Sequence, residues 1–465
     1  MNPRLPVCIA TQTRFSLNSF PSIISENQIY SPAACRCQAS APFTLRAIHL
    51  NTTHTSSAYK YYVLFILAAV NMFNYVDRNV VSILLVPIQD EFQVSDGAMG
   101  LLTGMAFMLV HSLFGIPLAR LADRHSRRNV LVAGVAVWSA MTALSGFARS
   151  FPQLVSLRMG VGIGEAAGSP PAHSMISDYF PPASRALALS LYSVGLYAGI
   201  MVGYFAAGWL GIRFGWRTTF IVVGLPGLAL SALVALTVKE PPRRSHQAVA
   251  PLVVVFRHLL RKRSFLALQL AASFHALSAY GAVLWMPTFM HRVYSMPLDE
   301  IGLKLGVISG LGGGAGAIIG GFAADRAARR DVRWYAWVAA ISALGALFPT
   351  SLFLFAASSE LALGCFLPYI VLVGMYTGPL FAMNQALAPT RMRATAVAIH
   401  LLIVSILGGG VGPWIVGGLS DLFATEYGDE GLRYSMLIVI CAGSFFAGVL
   451  YLIAGTSLSR EIESE

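Results

Sequence analysis

The chain has 465 residues, of which 56% are hydrophobic and only 11% are charged. Soluble domains carry about 25% charged residues, and apolar runs of roughly 20 residues recur along almost this whole chain, so the composition excludes a soluble protein. The formal net charge of +11 does not indicate nucleic-acid binding, because the lysines and arginines lie in short loops between the apolar runs. The sequence therefore predicts an all-α polytopic membrane protein.

The segment before the first apolar run, residues 1–58, is polar and rich in Ser, Thr and Pro, with four arginines and a single acid. This composition slightly resembles an organelle transit peptide. A disordered tail, or an overextended start of translation, is the interpretation that we favour over a targeting segment.

Twelve transmembrane helices are expected from residue 61 onward, joined by short turns. Their predicted limits are 61–88, 97–119, 129–148, 152–178, 186–211, 217–237, 265–290, 301–324, 334–356, 361–386, 395–419 and 433–455. The one long interior gap holds seven basic residues and separates two six-helix halves. We therefore expect an N-terminal bundle at 59–237, a cytoplasmic linker at 238–264, a C-terminal bundle at 265–456 and a tail at 457–465.

Basic residues are distributed unevenly between the two sides of the predicted bundle. The gaps after even-numbered spans, together with the C-terminal tail, hold most of the lysines and arginines, whereas the gaps after odd-numbered spans hold six. Cytoplasmic loops carry an excess of these residues. The bias therefore predicts that both termini are cytoplasmic and that the protein lies in the plasma (inner) membrane.

Span one carries polar residues where the bilayer is most apolar: Asn74, Asp77 and Arg78 lie near its middle. A charged side chain costs ~2.5–3.5 kcal/mol there, and such residues normally face a bundle interior or a wet cavity. Asp77 and Arg78 cannot simply satisfy each other, because neighbours on a helix point about 100° apart. Each needs partners on other helices, in a functional site or, alternatively, in a buried structural ion network.

Span four places Arg158, Gly162 and Glu165 on one helical stripe. A carboxylate at that depth must be protonated or paired, and Arg78 is the expected partner of Glu165. We predict that Asp77 and Glu165 carry a coupling proton, and that Arg78, Asn74 and Arg158 contact the cargo. A static bridge between helices is the alternative for Glu165. On the second half, His275 and Tyr280 are predicted to line the same cavity.

Glycine stripes and helix breakers predict packing and bends. Gly160, Gly164 and Gly168 share a stripe of span four, and Gly195, Gly199 and Gly203 share one of span five. Such stripes allow close helix contact. Pro170-Pro171 and the glycine-rich segment 408–413 predict bends in spans four and eleven.

An internal repeat relates the loops after spans two and eight, since 121–128 (LADRHSRR) matches 323–330 (AADRAARR). Duplicated six-helix halves are a known transporter architecture. In the same register Asp77 falls on Ala279, so the buried charges of span one are not duplicated. Generic packing would be shared by both halves, and the asymmetry therefore favours a functional role.

These motifs resemble a known family. Two Asp-Arg-x-x-Arg-Arg loops within twelve predicted helices resemble the major facilitator superfamily. The first half is similar to its spinster-like branch, and to bacterial members in particular, in 74–78 (NYVDR), 115–124 (GIPLARLADR), 158–166 (RMGVGIGEA) and 177–181 (SDYFP). The resemblance covers about residues 60–456 and implies a secondary transporter. Animal members are linked with lysophospholipids and sphingosine phosphate.

The loop charges are the predicted gate. A carboxylate at the end of a span can bind the N-terminal donors of a nearby helix and pair with arginine. The resemblance implies that Asp123 forms contacts that hold the inner side closed when the transporter opens outward. A solvated charge at a turn is the alternative. The predicted gating residues are Asp123, Arg124, Arg127, Arg128, Asp325 and Arg326.

Together, these features predict a proton-coupled secondary active transporter that moves an amphiphilic organic anion or lysolipid-like molecule by alternating access. A small metabolite or drug is the alternative cargo, and a non-transporting membrane receptor or scaffold is the alternative class. We expect a monomer whose partners are the bilayer, the cargo and protons. No enzymatic activity, cofactor, metal or nucleic-acid partner is expected.

Overall fold

The computed structural model describes residues 57–242, 252–388 and 392–463. The predicted N-terminal tail, apart from residues 57 and 58, lies outside these residues, as does the centre of the linker. The described residues form helices and turns without a β-strand. All twelve predicted spans are helical, and their ends lie within five residues of the predicted limits except at the C-terminal ends of spans eleven and twelve, whose helices extend eight residues further, to Tyr427 and Glu463.

The first half contains spans one to six. Span one is Ser57–Ile83, continued by Leu85–Phe92; span two comprises Asp96–Gly100, a π-helical turn at Leu101–Met105 and Ala106–Arg124; span three is Arg127–Ser145; span four comprises Phe151–Ala166 and Ser169–Tyr179. Spans five and six lie in Pro182–Thr237, interrupted at Gly215, where φ is 75° and ψ is 166°. Glycine adopts this conformation at little cost, so the chain reverses there.

The second half follows a short linker helix, Leu252–Leu260. Span seven is Arg263–Tyr294; span eight is Leu298–Ala328; span nine comprises Trp334–Gly345 and Leu347–Leu354; span ten comprises Ser359–Gly374 and Thr377–Ala386; span eleven comprises Arg393–Val404, a π-helical turn at Ser405–Gly410 and Val411–Tyr427; span twelve is Gly431–Glu463. The predicted bend in span four coincides with a helix break just before Pro170. The glycine-rich segment of span eleven forms the π-helical turn, and a bend there stays a prediction.

Eight helical segments of the described chain are long and apolar enough to cross a membrane, by length and composition. Two of them, Leu187–Thr237 and Thr395–Thr456, each hold two spans. Spans one and four are not among the eight. Span one has polar residues in its middle, and span four is divided into helices of 16 and 11 residues. The two spans that carry the buried charges are therefore the least suited to face lipid.

The glycine stripes of spans four and five pack closely against neighbouring helices, as predicted. A Cβ atom added at Gly199 would lie 2.3 Å from the carbonyl oxygen of Met72 in span one. One added at Gly164 would lie 2.5 Å from the backbone nitrogen of Trp138 in span three. Small residues let helix backbones approach this closely. The stripes thereby hold spans one and four, with their charged side chains, in the interior.

The two halves also meet tightly at one end of the molecule, the end with the loops after odd-numbered spans, here called the odd end. Span two contacts span eleven, where a Cβ at Gly100 would lie 2.4 Å from the Pro413 carbonyl oxygen. Span five contacts span eight, where a Cβ at Gly302 would lie 2.4 Å from the Tyr204 carbonyl oxygen. The opposite end, with the arginine-rich loops, is called the basic end.

Candidate functional site

A cavity of about 270 Å³ lies between the two halves. Its wall is mainly apolar and aromatic, and both halves contribute to it. Arg78 and Arg158 are the only charged side chains among the described residues of the wall. An apolar chamber with two cationic groups matches a molecule that has an apolar body and an anionic group.

Arg78 joins the cavity to a buried carboxylate on another helix. Its Nε donates a hydrogen bond to Glu165 Oε2 at 2.5 Å. The Arg78 side chain is 19% exposed, whereas that of Glu165 is fully buried. The predicted pairing of these residues is therefore present, with Arg78 at the cavity wall and Glu165 behind it.

Arg158, in the wall, and Asp77, behind it, complete the cluster of charged groups. Arg158 Nη2 donates to the backbone carbonyl oxygen of Asp77 at 3.4 Å, a long hydrogen bond. Asp77 Oδ1, Glu165 Oε1 and Arg158 Nη1 are buried without a hydrogen-bond partner. Buried polar atoms are rarely left unpaired. The cluster therefore has free hydrogen-bonding capacity, and a carboxyl oxygen without a donor can hold a proton.

Aromatic rings next to the arginines were not predicted from the sequence. The ring centre of Phe107 lies 5.2 Å from Arg78 Cζ and 5.7 Å from Arg158 Cζ, and the ring centre of Tyr75 lies 5.2 Å from Arg78 Cζ. Such contacts stabilise a cation that has lost part of its hydration. Tyr75 precedes Arg78 by three residues, which is a usable signal. Phe107 lies in an ordinary apolar run and carries no such signal.

The structure separates the predicted cargo-contacting residues into two groups. Tyr280 lines the cavity, as do Arg78 and Arg158. Asn74 and His275 are buried and do not belong to the described wall. The prediction that His275 lines the cavity is wrong, because its ring is stacked behind Tyr376, with ring centres 4.0 Å apart.

At the basic end, Arg127 is fastened inside the first half. It donates to Asp178 Oδ2 at 2.5 Å, to Glu240 Oε1 at 2.7 Å and to the Pro241 carbonyl oxygen at 2.8 Å. Burial raises the pKa of Glu240, but the hydrogen bonds from the Arg128 amide and from Arg127 outweigh it and hold that pKa below its usual range. These contacts tie span three to the end of span four and to the segment after span six.

The remaining predicted gating residues lie at the ends of spans two, three and eight. Asp123, Arg124 and Arg326 are exposed. Arg128 Nη1 donates to the Val238 carbonyl oxygen at 3.3 Å. Asp325 accepts a hydrogen bond from the Tyr335 hydroxyl at 3.0 Å. The gating roles of all six residues stay predictions.

At the odd end, a polar contact between the halves was not predicted from the sequence. Arg292 of span seven binds Asp96 of span two, with an N–O distance of 2.7 Å. Ser420 of span eleven donates to the same carboxylate at 2.7 Å. Asp421 accepts from the amides of Asp96 and Gly97, each at 2.8 Å. These residues follow or precede apolar runs, where loop charges are common, so the sequence offered no signal for their pairing.

Comparisons with known proteins identify the family of this chain. The family model described as Major Facilitator Superfamily matches residues 67–413. An MFS-type efflux pump of Mycolicibacterium smegmatis is 33% identical over 406 residues, which cover 86% of this chain and 94% of that protein. The sphingosine-1-phosphate transporter SPNS2 of Xenopus tropicalis is 28% identical over 431 residues, covering 86% of this chain and 83% of that protein.

The fold is also similar to that of a solved relative. The crystal structure of a bacterial homologue of the human lysosomal transporter spinster, in an inward-facing and unoccupied conformation, matches with a TM-score of 0.79. The two chains are 30% identical, and the match covers 87% of this chain and 99% of that one. The resemblance inferred from the sequence motifs is thus confirmed.

Proposed function

This chain belongs to the major facilitator superfamily, and on that premise we propose that it is a secondary active transporter of an amphiphilic organic anion or lysolipid-like molecule. It is a multi-pass membrane transporter and not an enzyme. The cavity wall carries the proposal, because an apolar and aromatic surface with two arginines suits an acyl or ring body and an acidic group.

The proposed transport cycle rocks the first bundle, 59–237, against the second, 265–456, so that the cavity opens to each side in turn. The Asp96–Arg292 ion pair and the close packing of spans five and eight support a state closed at the odd end. The charge bias of the loops supports a cytoplasmic basic end with cytoplasmic termini. We place the protein in the plasma membrane as a monomer, with the linker at 238–264.

The two roles of Arg78 support proton coupling as part of the proposal. Its guanidinium pairs with Glu165, yet its side chain also reaches the cavity wall. A proton on Glu165 removes the charge that holds Arg78, which leaves the guanidinium free for an anionic cargo. Proton and anion then favour each other's binding, and by linkage the effect is reciprocal. Asp77, whose Oδ1 has no partner, is the proposed relay.

A second candidate keeps the fold and changes the cargo to a small metabolite or drug that is exported. The similarity to an MFS-type efflux pump at 33% identity favours it. Export and import differ in the direction of the driving gradient and not in the architecture of the cavity. The cargo screen below separates the two candidates.

The test is uptake by the purified protein in liposomes under an imposed pH gradient. The probe is a lysophospholipid with one acyl chain and an anionic headgroup, compared with its zwitterionic analogue and with cationic and neutral dyes. We expect accumulation of the anionic lysolipid only while the gradient lasts. Transport of the dyes without the lysolipid would support the second candidate.

The coupling residues are tested in the same liposomes. Asp77→Asn and Glu165→Gln remove titration and keep shape, and Asp90→Asn, an exposed carboxyl at the odd end, is the matched control. We expect at least one of the two buried variants to lose gradient-driven uptake and keep cargo exchange without a gradient. If the double variant still concentrates cargo in response to pH, proton coupling through these residues is wrong.

A further inference from the structure

A second cavity, of about 470 Å³, lies at the basic end of span eight, away from the central cavity. Its lining is Ala323, Arg326, Ala327, Arg329, Arg330 and Trp334. Three arginines around one concave surface create a positive potential that attracts an anion. Trp334 forms an edge-on contact with Trp337, with ring centres 5.2 Å apart.

The three guanidiniums of this cavity are not neutralised by the described part of the chain. No ion pair or side-chain hydrogen bond joins Arg326, Arg329 or Arg330 to a described residue. The neighbouring carboxylates point to other groups: Asp325 accepts from the Tyr335 hydroxyl at 3.0 Å, and Asp331 lies 3.9 Å from Arg333. The positive charge of the three arginines is therefore available to an external ligand.

The matching loop of the first half shows that this arrangement is specific to the second copy. In the internal repeat Arg329 corresponds to Arg127. Arg127 is buried and bound by two carboxylates, Asp178 and Glu240. Arg329 is exposed at the cavity. The arginine at this position of the motif is thus neutralised in the first half, whereas no described carboxylate neutralises its counterpart in the second half.

The surface of span eight beside the cavity indicates what kind of anion fits. Leu311, Ile318 and Phe322 are 65%, 73% and 70% exposed. Their spacing of seven and four residues puts them on one helical stripe, and Arg329 follows Phe322 by a further seven residues on the same stripe. An exposed apolar stripe on a spanning helix faces acyl chains, and tryptophan is enriched at the level of the headgroups.

We propose that this cavity binds the phosphate headgroup of an anionic bilayer phospholipid, with the acyl chains lying along Phe322 and Ile318, the part of the stripe within one leaflet of the headgroup. The planar guanidinium matches phosphate oxygens in a bidentate manner, and basic pockets between spanning helices suit acidic headgroups. A free phosphate would use the arginines but not the apolar stripe. The site is independent of the cargo cavity and of proton coupling.

The experiment titrates the purified full-length protein in detergent with phosphatidylglycerol, phosphatidylcholine and inorganic phosphate, and counts bound molecules by native mass spectrometry. The test variant is Arg329→Gln/Arg330→Gln. The control is Arg149→Gln/Arg213→Gln, two exposed arginines at the odd end. We expect the wild type and the control variant to bind phosphatidylglycerol more tightly than phosphatidylcholine or inorganic phosphate. We expect the test variant to bind it about 30-fold more weakly, since each arginine near an anionic headgroup contributes about a fivefold factor.

A measurement on the wild type alone keeps the proposal testable if the double variant does not fold. Affinity for phosphatidylglycerol must fall steeply with added salt, because the interaction is between exposed charges. Equal affinity for the two phospholipids, or salt-independent binding, would overturn the proposal. Inorganic phosphate that binds as tightly as phosphatidylglycerol would reassign the cavity to a free anion.

Discussion

At the scale of single residues, Arg78 is the group that connects the cavity with the buried charges. Its Nε binds Glu165, its guanidinium lies against the rings of Tyr75 and Phe107, and part of the side chain reaches the cavity. The planar guanidinium presents its donors in a fixed fork while its face stacks on aromatic rings, so it makes the directed hydrogen bond and the ring contacts together. A compact ammonium group keeps the charge and loses this geometry.

The substitution Arg78→Lys tests that distinction. We expect anionic cargo to bind at least about 10-fold more weakly, because a hydrogen bond to a charged group contributes ~1.5–3 kcal/mol. Equilibrium binding of the labelled anionic lysolipid measures the effect. The matched control is Arg213→Lys, whose guanidinium lies 4.5 Å from the Trp209 ring at the odd end. Wild-type affinity in Arg78→Lys would mean that positive charge alone is sufficient.

Glu240, which lies outside the membrane spans, gives a prediction about how the stability of the fold depends on pH. Its pKa is lowered from the ordinary value of 4.5, since the hydrogen bonds from Arg128 and Arg127 outweigh the effect of burial. A lowered folded-state pKa stabilises the fold above the ordinary value, and this contribution is lost as the pH falls through the folded-state pKa. We expect the gap in Tm between wild type and Glu240→Gln to be largest near neutral pH and to shrink below pH 4.5. A gap that does not change with pH would contradict this account.

At the scale of helices, glycines decide how closely the two halves approach. At Gly302 in span eight, an added Cβ would lie 2.4 Å from the Tyr204 carbonyl oxygen and 3.2 Å from Gly208 Cα. Both contacts are backbone atoms of span five, which cannot move without moving the helix. At Gly321, in the same helix, an added Cβ would meet no atom within 4 Å.

Gly302→Ala and Gly321→Ala are therefore a matched pair. We expect Gly302→Ala to separate spans five and eight at the odd end, since overpacking of this kind costs ~1–3 kcal/mol. The measurement is labelling of Ser309→Cys, in the cavity wall, by an impermeant thiol reagent added on the odd side, with the five native cysteines replaced. The Ser309→Cys thiol should be labelled faster when Gly302→Ala is added. It should be labelled at an unchanged rate when Gly321→Ala is added to the same Ser309→Cys protein. Equal rates in all three proteins would exclude this contact as a determinant of closure.

At the scale of the whole molecule, the Asp96–Arg292 ion pair joins the halves at the odd end. Asp96 is only 5% exposed, so removing Arg292 leaves a buried carboxylate with fewer partners, at a cost of ~3–5 kcal/mol. We expect Arg292→Gln to open the odd end and to speed labelling of Ser309→Cys from that side. Adding Asp96→Asn should partly restore closure, because it removes the unpaired charge.

Arg433→Gln is the control for this ion pair. It breaks the contact of Arg433 with Glu430, at the same end but within the second half. Labelling from the odd side should stay at the parent rate. If Arg292→Gln and Arg433→Gln behave alike, the Asp96–Arg292 pair has no special part in joining the halves.

Several conclusions required only the sequence, because the hydrocarbon core of the bilayer accepts apolar helices and excludes unpaired charges. Runs of about 20 apolar residues specify spanning helices, and the loops are short, so twelve spans and their order could be predicted. A charge in the middle of a span must find an opposite charge, and this requirement alone paired Arg78 with Glu165. The glycine stripes of spans four and five marked the close contacts between helices.

The tertiary structure alone decided which polar residues face the cavity. His275 and Tyr280 lie in the same span, yet Tyr280 lines the cavity and His275 is stacked behind Tyr376. Asp96 and Arg292 are far apart in the sequence and meet only because span two begins, and span seven ends, at the odd end. Arg127 and Arg329 share one motif and differ in their surroundings. The physical reason is that an apolar helix face carries the same residue pattern whether it meets lipid or another helix. The rotation of each span about its axis is therefore determined by packing against the others.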